Sequence, residues 1–212
     1  MFENIKEWHK EAVANKVISS LKGNGFNAYY AKTGEDVVRK VFELVPKGAK
    51  VAVAGSSTVR ELELSELLSK KGFQVISYDA PGKKSSFEIR RETLISDVLL
   101  ASTNAITLDG KMVNIDRGGN RVAAMSFGPK RTIIVVGVNK IVKDLEAALW
   151  RVKNVAAPMN AKRLNRSSPC AIDGFCSECS SENRICKALL ILERSPSFSD
   201  YHVIVVGESF GF

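Results

Sequence analysis

Cysteine is missing from the first 169 residues of this 212-residue chain; all four fall between positions 170 and 186. Small thiols used as core packing would be scattered, so this distribution excludes that role. Histidine is nearly as scarce. His9 and His202 are the only two, and neither has the neighbours of a Ser-His-Asp triad or an HExxH zinc site, which argues against His-dependent hydrolysis. Long apolar runs are also absent. Stretches such as 132–138 reach about seven residues, where a membrane span needs about twenty. The first ten residues, MFENIKEWHK, are charged and amphipathic and lack the apolar stretch of a secretory signal. The reading is a cytoplasmic protein without a membrane span. The formal net charge is +8, yet no block of five basic residues occurs. Nucleic acid is therefore a disfavoured partner.

What is present is ordinary globular composition, 45% hydrophobic and 25% charged, in a chain long enough for a full core. No repeat or low-complexity linker divides it, so residues 1–212 read as one domain. Helical periodicity covers 4–22, ending at Gly23 and Gly25, then 34–45, a stretch from Thr58 to about Lys70, 85–95 and 142–155. Short strands read at 26–31, 50–54, 73–78, 97–101, 132–136, 188–192 and 202–206. Asp109-Gly110 between two β-prone runs predicts a hairpin over 104–116. Strand–helix alternation with apolar strands predicts an α/β fold: three layers, α/β/α, around a mixed, mostly parallel sheet.

Several polar segments interrupt this pattern. Gly55-Ser56-Ser57-Thr58 follows a strand and opens a helix, with Thr58 and Glu61 spaced as a capping box. Such a turn suits a phosphate or carboxylate, or it is an ordinary capped turn. It is neither GxGxxG nor a P-loop. Asn104, Thr107, Asn114, Asp116, Asn120 and Arg121 form a second candidate. Asn114 and Asp116 share a strand face, Asn120 suits a helix cap, and Arg121 suits bidentate pairing with an anion. Turn chemistry alone is the competing account. Asn139 and Lys140 follow the most apolar strand, where α/β proteins collect ligands. Asn160 and Arg163 lead into the cysteine loop. Glu208 follows the last strand and, with Asp116, is a candidate acid–base group.

The loop over 169–187 spaces Cys170, Cys176, Cys179 and Cys186 as C-x5-C-x2-C-x6-C. In reducing cytosol, clustered cysteines point to metal or redox chemistry. Four thiolates fit a [4Fe-4S] cluster or a structural zinc. The spacing is close to the iron–sulfur loop of the endonuclease III family with its outer gaps exchanged.

Read together, the segments 55–58, 103–107, 113–116, 119–123, 137–141, 157–160, the cysteine loop and 206–208 resemble the lactate-utilisation (LUD, formerly DUF162) family over nearly the whole chain. Arg117 stands where that pattern has a small residue. The resemblance implies a fold similar to NagB, RpiA and CoA transferases, with 55–58 as a ligand loop. It also implies a part in oxidising L-lactate to pyruvate, with iron–sulfur partner subunits. The expected ligand is a small anionic metabolite. The alternatives are an isomerase or transferase of phosphorylated or CoA-linked substrates, and a non-enzymatic iron–sulfur sensor.

Overall fold

The structure, a computed structural model, describes residues 2–77 and 85–212. Helix α1 (Phe2–Gly23) buries Ala14, Val17, Ile18 and Leu21, an i, i+3, i+4, i+7 stripe. Gly25 at φ 85° turns the chain into β1 (Asn27–Ala31). Helix α2 (Gly34–Leu44) starts at a Thr33–Asp36 capping box and buries Val37 and Val41. Next come β2 (Lys50–Val53), α3 (Ser57–Glu61) and α4 (Leu64–Lys70). The helix expected up to Lys70 is broken in two by Glu63 in the left-handed conformation, φ 50°. The expected strand over 73–78 is β3 (Gln74–Ser77), position 78 lying outside the described residues. Then follow α5 (Ser86–Leu94), β4 (Val98–Ala101), β5 (Ala105–Thr107), β6 (Met112–Asp116), α6 (Asn120–Ser126) and β7 (Arg131–Gly137).

Six strands form a sheet of order β1-β10-β7-β4-β2-β3, where β10 is Asp200–Val206. Every pairing in it is parallel. Its strands alternate between two cores. Ala52, Ile134, Val136, Val203 and Val205 face the core that holds α1. Val51, Val53, Ile133, Val135 and Ile204 face the one that holds α2 and α4. Both faces are apolar because both are covered, which gives the expected three layers. The antiparallel part is not mixed into this sheet. The hairpin β5–β6 sits in a second sheet of order β8-β5-β6-β9, with β8 (Ile141–Val142) and β9 (Ala188–Leu192). The two late strands thus part company: β10 is buried almost throughout and takes an interior position, whereas β9 is mostly half-buried, with Leu189 exposed and only Leu192 buried. In the hairpin, Gly110 has φ 84°, and a Cβ there would stand 3.0 Å from the Leu21 backbone of α1. Only glycine lets the tip pack that closely.

The helix expected over 142–155 begins later. Asp144 caps α7 (Leu145–Arg151), accepting from the Ala147 N–H at 2.9 Å. A π turn (Val152–Ala156) joins it to α8 (Ala157–Arg163). Pro158 accounts for the widened turn, since its ring removes a donor and crowds the carbonyl four residues back. Leu145, Leu149 and Val152 pack on the second sheet with Ala105 and Val113. Asn165 at φ 50° ends α8, and α9 (Pro169–Asp173) opens the cysteine loop.

Candidate functional site

The carboxyl ends of β2, β4 and β7 lie side by side, and a cavity of about 530 Å³ opens there. Gly55, Ser56 and Ser57 follow β2. Ser102, Thr103 and Asn104 follow β4, and Lys140 follows β7. Asp116, Asn120 and Arg121 come from the end of β6 and the start of α6. Ala156, Ala157, Asn160 and Arg163 come from the π turn and α8. Arg166 enters from the link between α8 and the cysteine loop, Ile185 and Lys187 from the loop itself, and Phe212 from the C-terminal segment. Four segments singled out in the sequence thus converge on one wall system, as the strand-end rule requires.

Lys140 is the centre of it. The residue is 3% exposed. Its Nζ donates to Thr58 Oγ1 at 2.7 Å and to Ser102 Oγ at 3.0 Å. Thr58 is itself fully buried and donates to the Phe210 carbonyl. Burial, then the charges of Arg151 and Arg121, bring the Lys140 pKa down to about 7, with Glu61 acting the other way. Gly211, at φ 61°, crosses this group so closely that a Cβ would stand 2.6 Å from Thr58 Oγ1 and 3.0 Å from Nζ.

The turn after β2 is not capped as the sequence suggests. Ser56 is the N-cap of α3, accepting from the Val59 N–H at 3.3 Å. Thr58 is inside the first turn and turned to Lys140. Glu61 instead accepts from the Gly211 N–H at 2.8 Å.

Arg121 braces the opposite wall. One terminal nitrogen donates to the Ser102 carbonyl and to Asn114 Oδ1, the other to Asn104 Oδ1 and the Ile115 carbonyl, at 2.7–3.2 Å. Asn104 Oδ1 also accepts from the Ile115 N–H. The four N–H groups of the fork are therefore engaged by protein, and bidentate anion pairing is not the geometry found. Asp116 accepts from the backbone N–H groups of Arg117, Arg121 and Val122. It holds the start of α6, whose N-cap is Gly119 rather than Asn120.

Four expected site residues fall elsewhere. The Thr107 hydroxyl bonds Asp109 and accepts from the Lys111 N–H inside the hairpin. Asn139 lies under the C-terminal segment, accepting from the Phe210 N–H and donating to the Gly211 carbonyl. Glu208 is exposed and accepts from the Gly34 N–H at 2.8 Å, at the start of α2. Asn114 is fully buried behind the cavity wall.

The lining is strongly cationic. Arg90, Arg117, Arg121, Lys140, Arg163, Arg166 and Lys187 contribute to it, against one carboxylate among the described residues, Asp116. Arg166 Nε is buried with no hydrogen-bond partner among the described residues. Ser102, Arg151, Arg166 and Lys187 were not singled out in the sequence. The position of Ser102 just past an apolar strand is a usable signal. The positions of the others depend on the fold. Arg151 is buried and holds the Asn104 and Asn139 carbonyls, a pairing of residues far apart in sequence.

The cysteine loop forms the lip. The Lys187 N–H donates to the Asp116 carbonyl at 2.9 Å, so the loop re-enters the second sheet beside the cavity. Ala161, Ala171 and Ile185 pack beneath it with Cys170. Arg184 Nε donates to Cys186 Sγ at 3.1 Å and to the Cys186 carbonyl, and its Nη1 to the Cys179 carbonyl. Glu178 pairs with Lys153, tying the loop to the π turn. All four thiols are free and half-buried. They do not meet at one point: among the described residues no group of three or more His, Cys, Asp or Glu side chains could hold a metal ion. No helix in these described residues is long and apolar enough to cross a membrane.

The class defined by this fold is a three-layer α/β protein with a cation-lined cavity beyond the strand ends. The LUD domain model matches residues 14–206, and the chain belongs to that family. The structure is similar to the crystal structure of a DUF162 family protein from Deinococcus radiodurans. The TM-score is 0.56 and the identity 16%, over 93% of this chain and 98% of that one; at this identity the likeness speaks to the fold. No curated protein matches by sequence.

Proposed function

We propose that the cavity binds a small anionic metabolite, a carboxylate or a phosphate, and that the protein takes part in the oxidation of L-lactate to pyruvate. The family's association with lactate utilisation supports the second part. The observation that carries the first is the charge of the lining: seven lining Lys and Arg side chains face one carboxylate among the described residues, and the Arg166 Nε there is buried without a partner. Of the seven only Lys140 is buried, and it meets hydroxyls rather than a carboxylate; a wall with this excess of positive charge favours an anionic ligand. Calorimetry with lactate, pyruvate and phosphorylated metabolites tests this. Binding that weakens with salt and with Arg163→Ala supports it; no binding across the panel overturns it.

The cysteine loop is proposed to carry a [4Fe-4S] cluster, or a structural zinc, and so to connect the chain to iron–sulfur partner subunits. The support is the number and spacing of its thiols. The isomerase or transferase reading gains less. Asp116 and Glu208, its candidate acid–base groups, both serve backbone N–H groups at helix starts. Turnover of phosphorylated or CoA-linked substrates without an electron acceptor would restore it. Metal loading without any metabolite binding would favour the sensor.

A further inference from the structure

We infer that Lys140 is a nucleophile, whose side-chain amine captures the carbonyl carbon of a small α-keto acid in the cavity as a covalent imine. The inference rests on the anion-binding reading above and adds a chemical step to it.

A lysine buried for structure alone ordinarily meets a carboxylate, because an unpaired buried charge is expensive. Lys140 meets two hydroxyls instead, Thr58 Oγ1 and Ser102 Oγ. The charged groups that act on it are Arg151 from α7, Arg121 from α6 and Glu61 from α3, and the arginines outweigh the glutamate. With a pKa near 7, a large share of the amine is unprotonated at neutral pH, and that is the nucleophilic form. Lys140 also lines the cavity, where the surrounding arginines favour an anion. A ligand that suits both features carries a carboxylate beside an electrophilic carbonyl, which describes an α-keto acid.

The step balances without an electron acceptor. The nitrogen lone pair forms the C–N bond, and the carbonyl π pair moves to oxygen, which takes a proton. The carbinolamine's C–O bond then breaks, the hydroxyl leaves as water together with the remaining N–H proton, and the nitrogen electron pair completes C=N. The two hydroxyls beside Nζ are placed to relay these protons.

The test is trapping on the full chain. The protein is incubated with pyruvate or glyoxylate and cyanoborohydride, digested, and mapped by mass spectrometry. The expected result is a reduced adduct concentrated on Lys140 rather than on exposed lysines such as Lys130 and Lys143. It saturates with keto acid, is competed by inorganic phosphate, and is lost in Lys140→Arg. The wild-type map decides the matter even where that variant fails to fold. Adducts spread over surface lysines with Lys140 unmodified, while calorimetry still shows pyruvate or phosphate binding, would overturn the nucleophile and leave the anion site standing. Loss of both binding and adduct removes both readings.

Discussion

Lys140 Nζ lies 2.7 Å from Thr58 Oγ1, across 82 positions of sequence. The bond joins the ends of two parallel strands and is covered by Gly211. Thr58→Val keeps the shape and removes the hydroxyl, leaving the amine with the Ser102 hydroxyl and taking from the Phe210 carbonyl the donor Thr58 supplies. The expected loss is about 1–3 kcal/mol, read from urea unfolding at neutral pH.

The lowered pKa of Lys140 has a definite sign in stability. Below about 7 the amine is protonated in both folded and unfolded chains, and the fold carries the full cost of burying the charge. As pH rises through about 7 towards the ordinary lysine value, the unfolded chain keeps a proton that the folded one has lost. The contribution to stability then rises with pH, by at most about 1.4 kcal/mol per unit for one proton. Lys140→Met removes this slope. The stability difference between variant and wild type is expected to shift in favour of wild type from about pH 6 to about pH 9, measured by denaturant titration at each pH.

Much of this was legible beforehand, and the limits have physical causes. Apolar runs such as 132–136 and 202–206 announce buried strands, and Asp109-Gly110 announces its hairpin, because these signals are local. Thr58 and Glu61 have capping-box spacing, but Ser56 takes the cap because Thr58 is drawn to a lysine far along the chain. Arg121 looked like an anion ligand because its neighbours are polar. Those same neighbours, Asn104 and Asn114, fold back onto it and occupy its fork. The pKa of Lys140 was not readable, since its burial and the approach of Arg151 exist only in the folded chain.

Arg121 and Arg163 are expected to separate on mutation. Arg121→Lys cannot reproduce a planar fork, so the Ser102 and Ile115 carbonyls and two asparagine side chains lose donors. A loss of about 2–4 kcal/mol is expected. Arg163 is exposed and bonds Asn160 within its own helix. Arg163→Ala is expected to change stability by less than about 0.5 kcal/mol while weakening phosphate binding severalfold. Thermal melts and calorimetry on both variants check the contrast.

Glu208→Gln tests the catalytic expectation for that residue. Its carboxylate accepts from the Gly34 N–H, where a negative charge complements the start of α2. Removing the charge is expected to cost about 0.3–1 kcal/mol and to leave pyruvate and phosphate affinity unchanged. A drop in ligand affinity with unchanged stability would move Glu208 back into the site.

Zinc titration of the reduced protein tests the cysteine loop. Thiolate ligands must shed protons to bind, so affinity measured against a competing chelator is expected to rise with pH. If the four thiols act as one set, serine at Cys170, Cys176, Cys179 or Cys186 lowers that affinity in each case. A cysteine whose loss changes nothing is not a ligand. The loop's Lys187 N–H bonds the Asp116 carbonyl, and Ile185 and Lys187, on either side of Cys186, line the cavity. Drawing Cys186 towards the other thiols must therefore shift two wall residues. Metal loading is accordingly expected to alter phosphate affinity, an effect that Cys186→Ser abolishes together with the change in metal binding.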